Sequence, residues 1–313
     1  MKILRKILPI IASGLFLWLI FQKTGTTLKI GLLLNDFLSI KKTEFFLIIF
    51  SAWVNFYFTS ERFKFVWDVI VTKKNKLSSW QAYQTNMTSF FLSIFIPYGP
   101  SNDLFRLAIL KKITNLKTSK IFKVILYDRT ISFLYLILFG LFAFVLECYI
   151  TKGLTNAALP KILLWISTLM IGLLIFLIVK YFFKNNTIFK KTYNNFSKFF
   201  CINSFIYKNL YFSLSYITTF SFFIWVTSLA LGLKLDFLIV FLSSPFILFL
   251  QNIPFFFVGF GAREIGFLIS FSAFNSNEEL LRLSLISGSL MILSTLPSII
   301  FIFTHSISMF RRK

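Results

Sequence analysis

Histidine, cysteine and acidic residues are scarce in this chain of 313 residues: there are 1 His, 2 Cys and 11 Asp+Glu, against 33 Lys+Arg. Cys148, Cys201 and His305 fall in separate segments, with no CxxC pair and no His cluster. That excludes the ligand spacings of zinc and haem sites and makes a disulfide between the two cysteines a poor expectation. No cofactor and no metal are expected. No Ser–His–Asp set and no phosphate-cradling Gly-x-x-x-x-Gly-Lys loop accompanies the charged residues, so catalytic residues are read as none and the chain is not read as an enzyme. Charge of either sign is thin throughout, at 14% of residues, where a soluble globular domain carries about 25%.

Apolar residues fill the space that charge leaves. They make up 57% of the chain, 45 of them Phe, yet the formal net charge is +22. A strongly basic soluble protein would suggest nucleic acid, but a nucleic-acid surface needs a far denser charge. The composition points to an integral membrane protein with basic residues confined to loops. The Phe excess is lipid-facing bulk and core packing. At the N-terminus, Lys2, Arg5 and Lys6 precede an apolar run to Phe21. This has the look of a signal peptide but lacks a small-x-small cleavage site, and it is read as an uncleaved first span.

Long apolar runs fall at about 7–22, 45–60, 121–149, 161–183, 209–232 and 284–309. As helices rising about 1.5 Å per residue, most of these cross the roughly 30 Å of bilayer hydrocarbon. The run at 45–60 is short, and Phe63, Phe65, Val66 and Trp67 extend it as an amphipathic helix. Residues 84–110 and 237–274 are apolar but interrupted, the first by Pro97-Tyr98-Gly99-Pro100 and the second by Pro254 through Gly259-Phe260-Gly261. Their arms are too short to span comfortably, which makes both regions candidate re-entrant hairpins, with two full crossings each as the alternative. The expected fold is all-α: a polytopic membrane protein of about six full spans plus two broken or re-entrant hairpins, in a single membrane domain over residues 1–313.

With that topology, the N-terminus, the loops 61–80, 111–123 and 180–208, and Arg311 to Lys313 share one side and hold 22 of the 33 basic residues, against 7 on the other side. The excess places both termini in the cytoplasm, for a multi-pass protein of the cytoplasmic (inner) membrane. Each hairpin then sits among three spans and enters from opposite sides. Halves of about 1–150 and 151–313 therefore form an inverted repeat with broken elements in corresponding places, a pattern that points to a mid-membrane substrate site.

Four arginines, Arg106, Arg129, Arg263 and Arg282, sit in or beside apolar segments. Asp103 and Arg106 follow the first break at i, i+3, on one face of a helix starting near Ser101. They are either an ion pair satisfying a buried helix end or an anion site, with Arg106 and the helix N–H groups meeting a phosphate while Asp103 orients the arginine. After the second break, Arg263-Glu264 opens the next helix, and as adjacent residues they are expected to take different partners. Asp128-Arg129 lies near the start of the 121–149 span, either as an interfacial pair reaching the surface or lining the same cavity as Arg106. Glu61-Arg62, Glu147 and Arg282 read as membrane-boundary charges. Ionisable groups deep in an apolar segment are costly and default to functional candidates.

Those couples carry a resemblance. The chain resembles the transmembrane-region family of lysylphosphatidylglycerol synthase, also called flippase-like membrane proteins, and is similar to the membrane half of the multiple peptide resistance factor. The family's first motif runs Pro-x-Gly-x-x-Gly-(Asp/Glu)-x-x-Arg; Pro97, Gly99, Asp103 and Arg106 match it, with Asn102 in place of a glycine. An Glu-Arg pair opening a long helix is met by Asp128-Arg129, and the last motif is met by Pro254, Gly259, Gly261, Arg263 and Glu264 in order. The resemblance implies a lipid flippase or translocase moving an anionic or aminoacylated phospholipid, or a polyprenyl-linked lipid, between leaflets. In that reading Arg106, Arg263 and Arg129 bind the headgroup and Asp103, Glu264 and Asp128 hold the arginines. Two alternatives stand beside it: a non-transporting membrane partner of a separate glycosyltransferase or lipid-modifying synthase, and an exchanger of small solutes or ions. The chain runs to Arg312-Lys313 straight after its last apolar run and is expected to lack the synthase domain.

Overall fold

The computed structural model describes residues 30–71, 75–96, 100–150, 203–252 and 261–302. The runs at 7–22 and 161–183, the end of the run at 284–309, and Pro97, Gly99, Pro254 and Gly259 lie outside the described residues.

Among the described residues there are nine α-helices and no strand. In chain order they are α1 (Ile30–Ser39), α2 (Lys42–Ile70), α3 (Ser79–Ser93), α4 (Ser101–Thr114), α5 (Thr118–Ile150), α6 (Asn203–Ala230), α7 (Phe237–Gln251), α8 (Ala262–Phe271) and α9 (Asn277–Ser294). Three stretches are long and apolar enough to cross a membrane: Thr118–Glu147, Phe205–Ala230 and Asn277–Ile302. On α5, Leu138, Phe142 and Val145 form an outward apolar stripe, each at least 60% exposed. Spaced at i, i+4, i+7, such a stripe is a liability in water and suits lipid.

Both interrupted regions are indeed broken into helix pairs. The helices α3 and α4 pack together on either side of the first break, and α7 and α8 on either side of the second. Gly261, immediately before α8, has φ 92°, a backbone conformation that a side chain at this position would strain. Capping residues mark two other starts: the Ser78 hydroxyl accepts from the N–H of Gln81, and that of Ser276 from the N–H of Glu279. Before α4, Pro100 holds the capping position with no side-chain cap, which leaves the first-turn N–H groups of α4 without intrahelical acceptors.

The long helix α2, of 29 residues, organises the packing. Its first half sends Ile48 and Ala52 into a core shared with Ile217 and Ile224 of α6 and Phe267 of α8. Its second half sends Phe63, Val66 and Trp67 into another, with Leu110 of α4 and Ile121 and Val124 of α5. Between these two cores the helix turns polar, and that belt positions the site. The short helix α1 was not anticipated; its Leu33 and Phe37, one turn apart, pack against the first core.

A cavity lined by three arginines

A cavity of about 330 Å³ opens beside the first break. From α2 come Asn55, Phe56, Thr59 and Arg62, and from α3 Asn86, Phe90 and Ser93; in each helix the spacing of i, i+4, i+7 puts the polar residues on one face. The first turns of α4 supply Ser101, Asn102, Asp103 and Arg106, and α5 supplies Asp128, Arg129, Ser132 and Phe133. Tyr216 of α6, with Gln251 and Asn252 at the end of α7, completes the polar wall. An α4 N-terminus thus faces an α7 C-terminus across the cavity, a pairing in which the first end favours anions and the second favours cations.

The ion pairs cross between helices. Asp103 does not pair with Arg106 along its own helix. It takes the fork of Arg129, accepting from Nε at 3.0 and 3.1 Å and from Nη2 at 2.9 Å. Arg106 reaches Asp128, with Nη1 3.4 Å from Oδ2, and donates through Nη2 to Asn86 Oδ1. The reason is steric: α4 packs on α5, so the planar guanidinium of Arg129 meets a carboxylate on the neighbouring helix edge-on, the favoured bidentate geometry. Arg129 also donates through Nη1 to Asn252 Oδ1 at 3.1 Å, and so joins the first turn of α4 to the end of α7.

Arg62 corrects the sequence reading. Glu61-Arg62 was assigned to the membrane boundary, but Arg62 is 4% exposed and donates through Nε to Asp128 Oδ1 at 3.2 Å. Its guanidinium also lies over the ring of Tyr216, 5.8 Å from the centroid. The signal was present in the sequence, because Asn55, Thr59 and Arg62 share one face of an apolar helix. The site therefore has a dry inner tier and a wetter outer one. Arg62, Arg106 and Asp128 are at most 4% exposed, whereas the side chains of Arg129 and Asp103 are 28% and 26% exposed.

Three guanidiniums face two carboxylates on this lining, a net charge of +1. An uncompensated charge in a buried setting carries a desolvation penalty of several kcal/mol, which an anion in the cavity offsets. Arg106 Nε is a buried donor with no partner among the described residues, and Asn102 Oδ1 and Gln251 Oε1 are buried acceptors in the same state.

Arg263 and Glu264 are not among the residues that line this cavity. Both are buried, at 4% and 0% exposed. They were expected to take different partners, yet they bond to each other, Arg263 Nη2 to Glu264 Oε1 at 3.1 Å. The long arginine side chain curls back because its guanidinium rests where α9 has Gly288. There Arg263 Nε also donates to Ser284 Oγ at 3.1 Å, and that hydroxyl donates to Glu264 Oε1 at 3.1 Å. The second oxygen of Glu264 accepts from the N–H of Gly261, which ties the backbone of the second break into the same network. Arg282, read as a boundary charge, pairs with Asp36 of α1 at 3.0 Å. Among the described residues no group of three or more His, Cys, Asp or Glu is placed to hold a metal ion.

No curated protein and no solved structure matches the chain. The family described as Lysylphosphatidylglycerol synthase TM region matches residues 6–297, nearly the whole of the sequence. With its motif residues carried on two broken helix pairs and their flanking apolar helices, this membrane protein belongs to the Lysylphosphatidylglycerol synthase TM region family.

Proposed function

We propose that the protein is a lipid translocase whose cavity receives an anionic headgroup as the lipid passes between leaflets. One observation carries the reading: a lining with three arginines and two aspartates placed at the break of a helix pair in an otherwise apolar fold. A volume of about 330 Å³ is at the small end of ligand pockets, about 300–1,000 Å³, and suits a headgroup better than a whole lipid. No chemical step on the lipid is required, so the protein acts as a transporter rather than an enzyme, without cofactor and with membrane lipid as its partner.

Both helix pairs are re-entrant in this reading. Their arms have 15 and 14 residues in the first pair and 15 and 10 in the second. At about 1.5 Å per residue each falls short of the roughly 30 Å hydrocarbon. The pairs α3–α4 and α7–α8 lie between long helices, α2 with α5 and α6 with α9, an order that supports a repeat of broken pairs. The bias of basic residues among the loops supports the cytoplasmic membrane with both termini inside. Arg263 and Glu264 hold the second pair to α9 rather than touching the headgroup.

The test is leaflet accessibility of labelled anionic phospholipid in proteoliposomes. Wild type should exchange the label between leaflets, and Arg106→Gln and Arg129→Gln should each slow it at least about tenfold, the effect of about 1.4 kcal/mol on a barrier. Ser132→Phe, which fills the cavity without removing charge, should slow it as well. Exchange at the wild-type rate in all three variants would refute the site. No exchange by wild type with any phospholipid or polyprenyl phosphate would favour a partner of a separate lipid-modifying enzyme.

A further inference from the structure

We infer that the cavity selects its headgroup by charge: it takes an anionic, hydroxyl-bearing headgroup and rejects one that carries an ammonium, whether a cationic lysyl ester or a zwitterionic choline phosphodiester. The inference rests on the reading of the cavity as a headgroup site and narrows the substrate class.

A cationic headgroup needs a carboxylate, an open aromatic face or a helix C-terminus, and the α7 C-terminus is already met by Arg129, which donates to Asn252 Oδ1. All 11 acidic residues of the chain fall within the described segments, so the other segments can bring no acidic side chain to this wall. Only Asp103 and Asp128 line the cavity, and both are already engaged by arginines. Asp128 is shared between Arg62 and Arg106, and Asp103 holds the fork of Arg129. Elsewhere Asp36, Glu61 and Glu264 have their own ion partners. The rings of the lining are engaged as well: Tyr216 lies under Arg62, Phe56 and Phe90 pack edge-to-face on each other, and Phe133 packs edge-to-face on Phe249. An ammonium placed in the cavity would therefore meet a field of net +1 with no free anion to answer it. A lysyl ester carries two ammonium groups against one phosphate and enters at a disadvantage; a phosphodiester with a polyol enters with the opposite sign.

The uncharged part of the wall fits that polyol. Arg106 Nε supplies a donor, and Asn102 Oδ1 and Gln251 Oε1 supply acceptors, that have no partner among the described residues. A phosphate oxygen satisfies the first and headgroup hydroxyls satisfy the other two.

Competition binding to the purified protein in detergent tests the inference, with short-chain phosphatidylglycerol, its lysyl ester, short-chain phosphatidylcholine and glycerol phosphate as probes. Phosphatidylglycerol should bind at least about tenfold more tightly than the lysyl ester and phosphatidylcholine. The variant Ser132→Asp adds a third carboxylate to the lining, one turn from Asp128, and should raise the affinity for the lysyl ester relative to phosphatidylglycerol by at least about tenfold. Binding of the lysyl ester or of phosphatidylcholine as tight as phosphatidylglycerol would overturn charge selection while leaving the headgroup site intact. Glycerol phosphate binding as tightly as the lipid would support charge selection and overturn the lipid as its source. Binding of none of the four would overturn the headgroup site itself.

Discussion

Replacing Gly288 by alanine should destabilise this protein, although the same change on an open helix usually stabilises it. Alanine gains about 0.5–1 kcal/mol over glycine in a helix interior. At position 288, however, a Cβ would stand 2.5 Å from Arg263 Cζ, closer still to both terminal nitrogens. The guanidinium must leave its seat. It can do so at small cost only if it has somewhere to go, and Arg263 is 4% exposed with its bonds to Glu264 and Ser284 at 3.1 Å. Displacing it strands Glu264, which is 0% exposed. Breaking a buried pair on one side costs about 3–5 kcal/mol, so after the helix gain a net loss of about 2–4 kcal/mol is expected. Gly31 provides the control, because nothing lies within 4 Å of a Cβ built there, and Gly31→Ala should hold or raise stability. Thermal unfolding in detergent, followed by loss of the monodisperse peak, ranks the two variants against wild type. The background Arg263→Met/Glu264→Gln removes the charges, and in it Gly288→Ala should lose most of its effect, a coupling that a double-mutant cycle isolates. Gly288→Ala as stable as wild type would refute the seat.

The ion pairs give further expectations. Asp128→Asn should cost more stability than Asp103→Asn, by about 1–2 kcal/mol in the same assay, because Asp128 serves two nearly dry arginines whereas Asp103 serves one at a partly exposed position. Arg62→Leu and Arg282→Gln separate a buried charge from a boundary one. The first should destabilise by about 3 kcal/mol or more by stranding part of Asp128, and the second should stay within about 1 kcal/mol, since its pair with Asp36 is about a quarter exposed on each side. Trp53→Phe keeps an aromatic ring but removes the pyrrole half of the indole with its bond from Nε1 to the carbonyl of Ser294 at 2.8 Å, and at least about 1 kcal/mol should go with it.

The helix breaks were legible because proline and glycine act locally. The interruptions near Pro97 and Pro254 put helix ends at Ser93 and Ser101, and at Gln251 and Ala262, close to where the residues suggested. The arginines beside those breaks were legible too, since a charge inside an apolar run stands out. Which acid each arginine takes was not. Spacing along a helix tells which residues share a face, but Arg129 and Asp103 meet across two helices, 26 residues apart. Arg62 escaped because Glu61 and Lys64 beside it make the stretch look like a membrane edge. Its true setting is recorded only in the polar stripe with Asn55 and Thr59. The partnership of Arg263 and Glu264 depends on a missing side chain at position 288, on another helix, and no reading of residues 261–264 alone could supply it. α1 was too short and too mixed to stand out from its surroundings, and its place is fixed by contacts with the distant core.

The helix α2 is rooted at both ends, with Ile48 held in one core and Trp67 in the other. Over 19 residues it forms a rod of about 28 Å. A rod gripped in this way fixes the spacing of the two cores, and Asn55 and Thr59 fall midway between the grips, on the wall of the cavity. The arginine-lined wall thus takes its place from both cores at once, and a packing change in either one reaches it through the same helix.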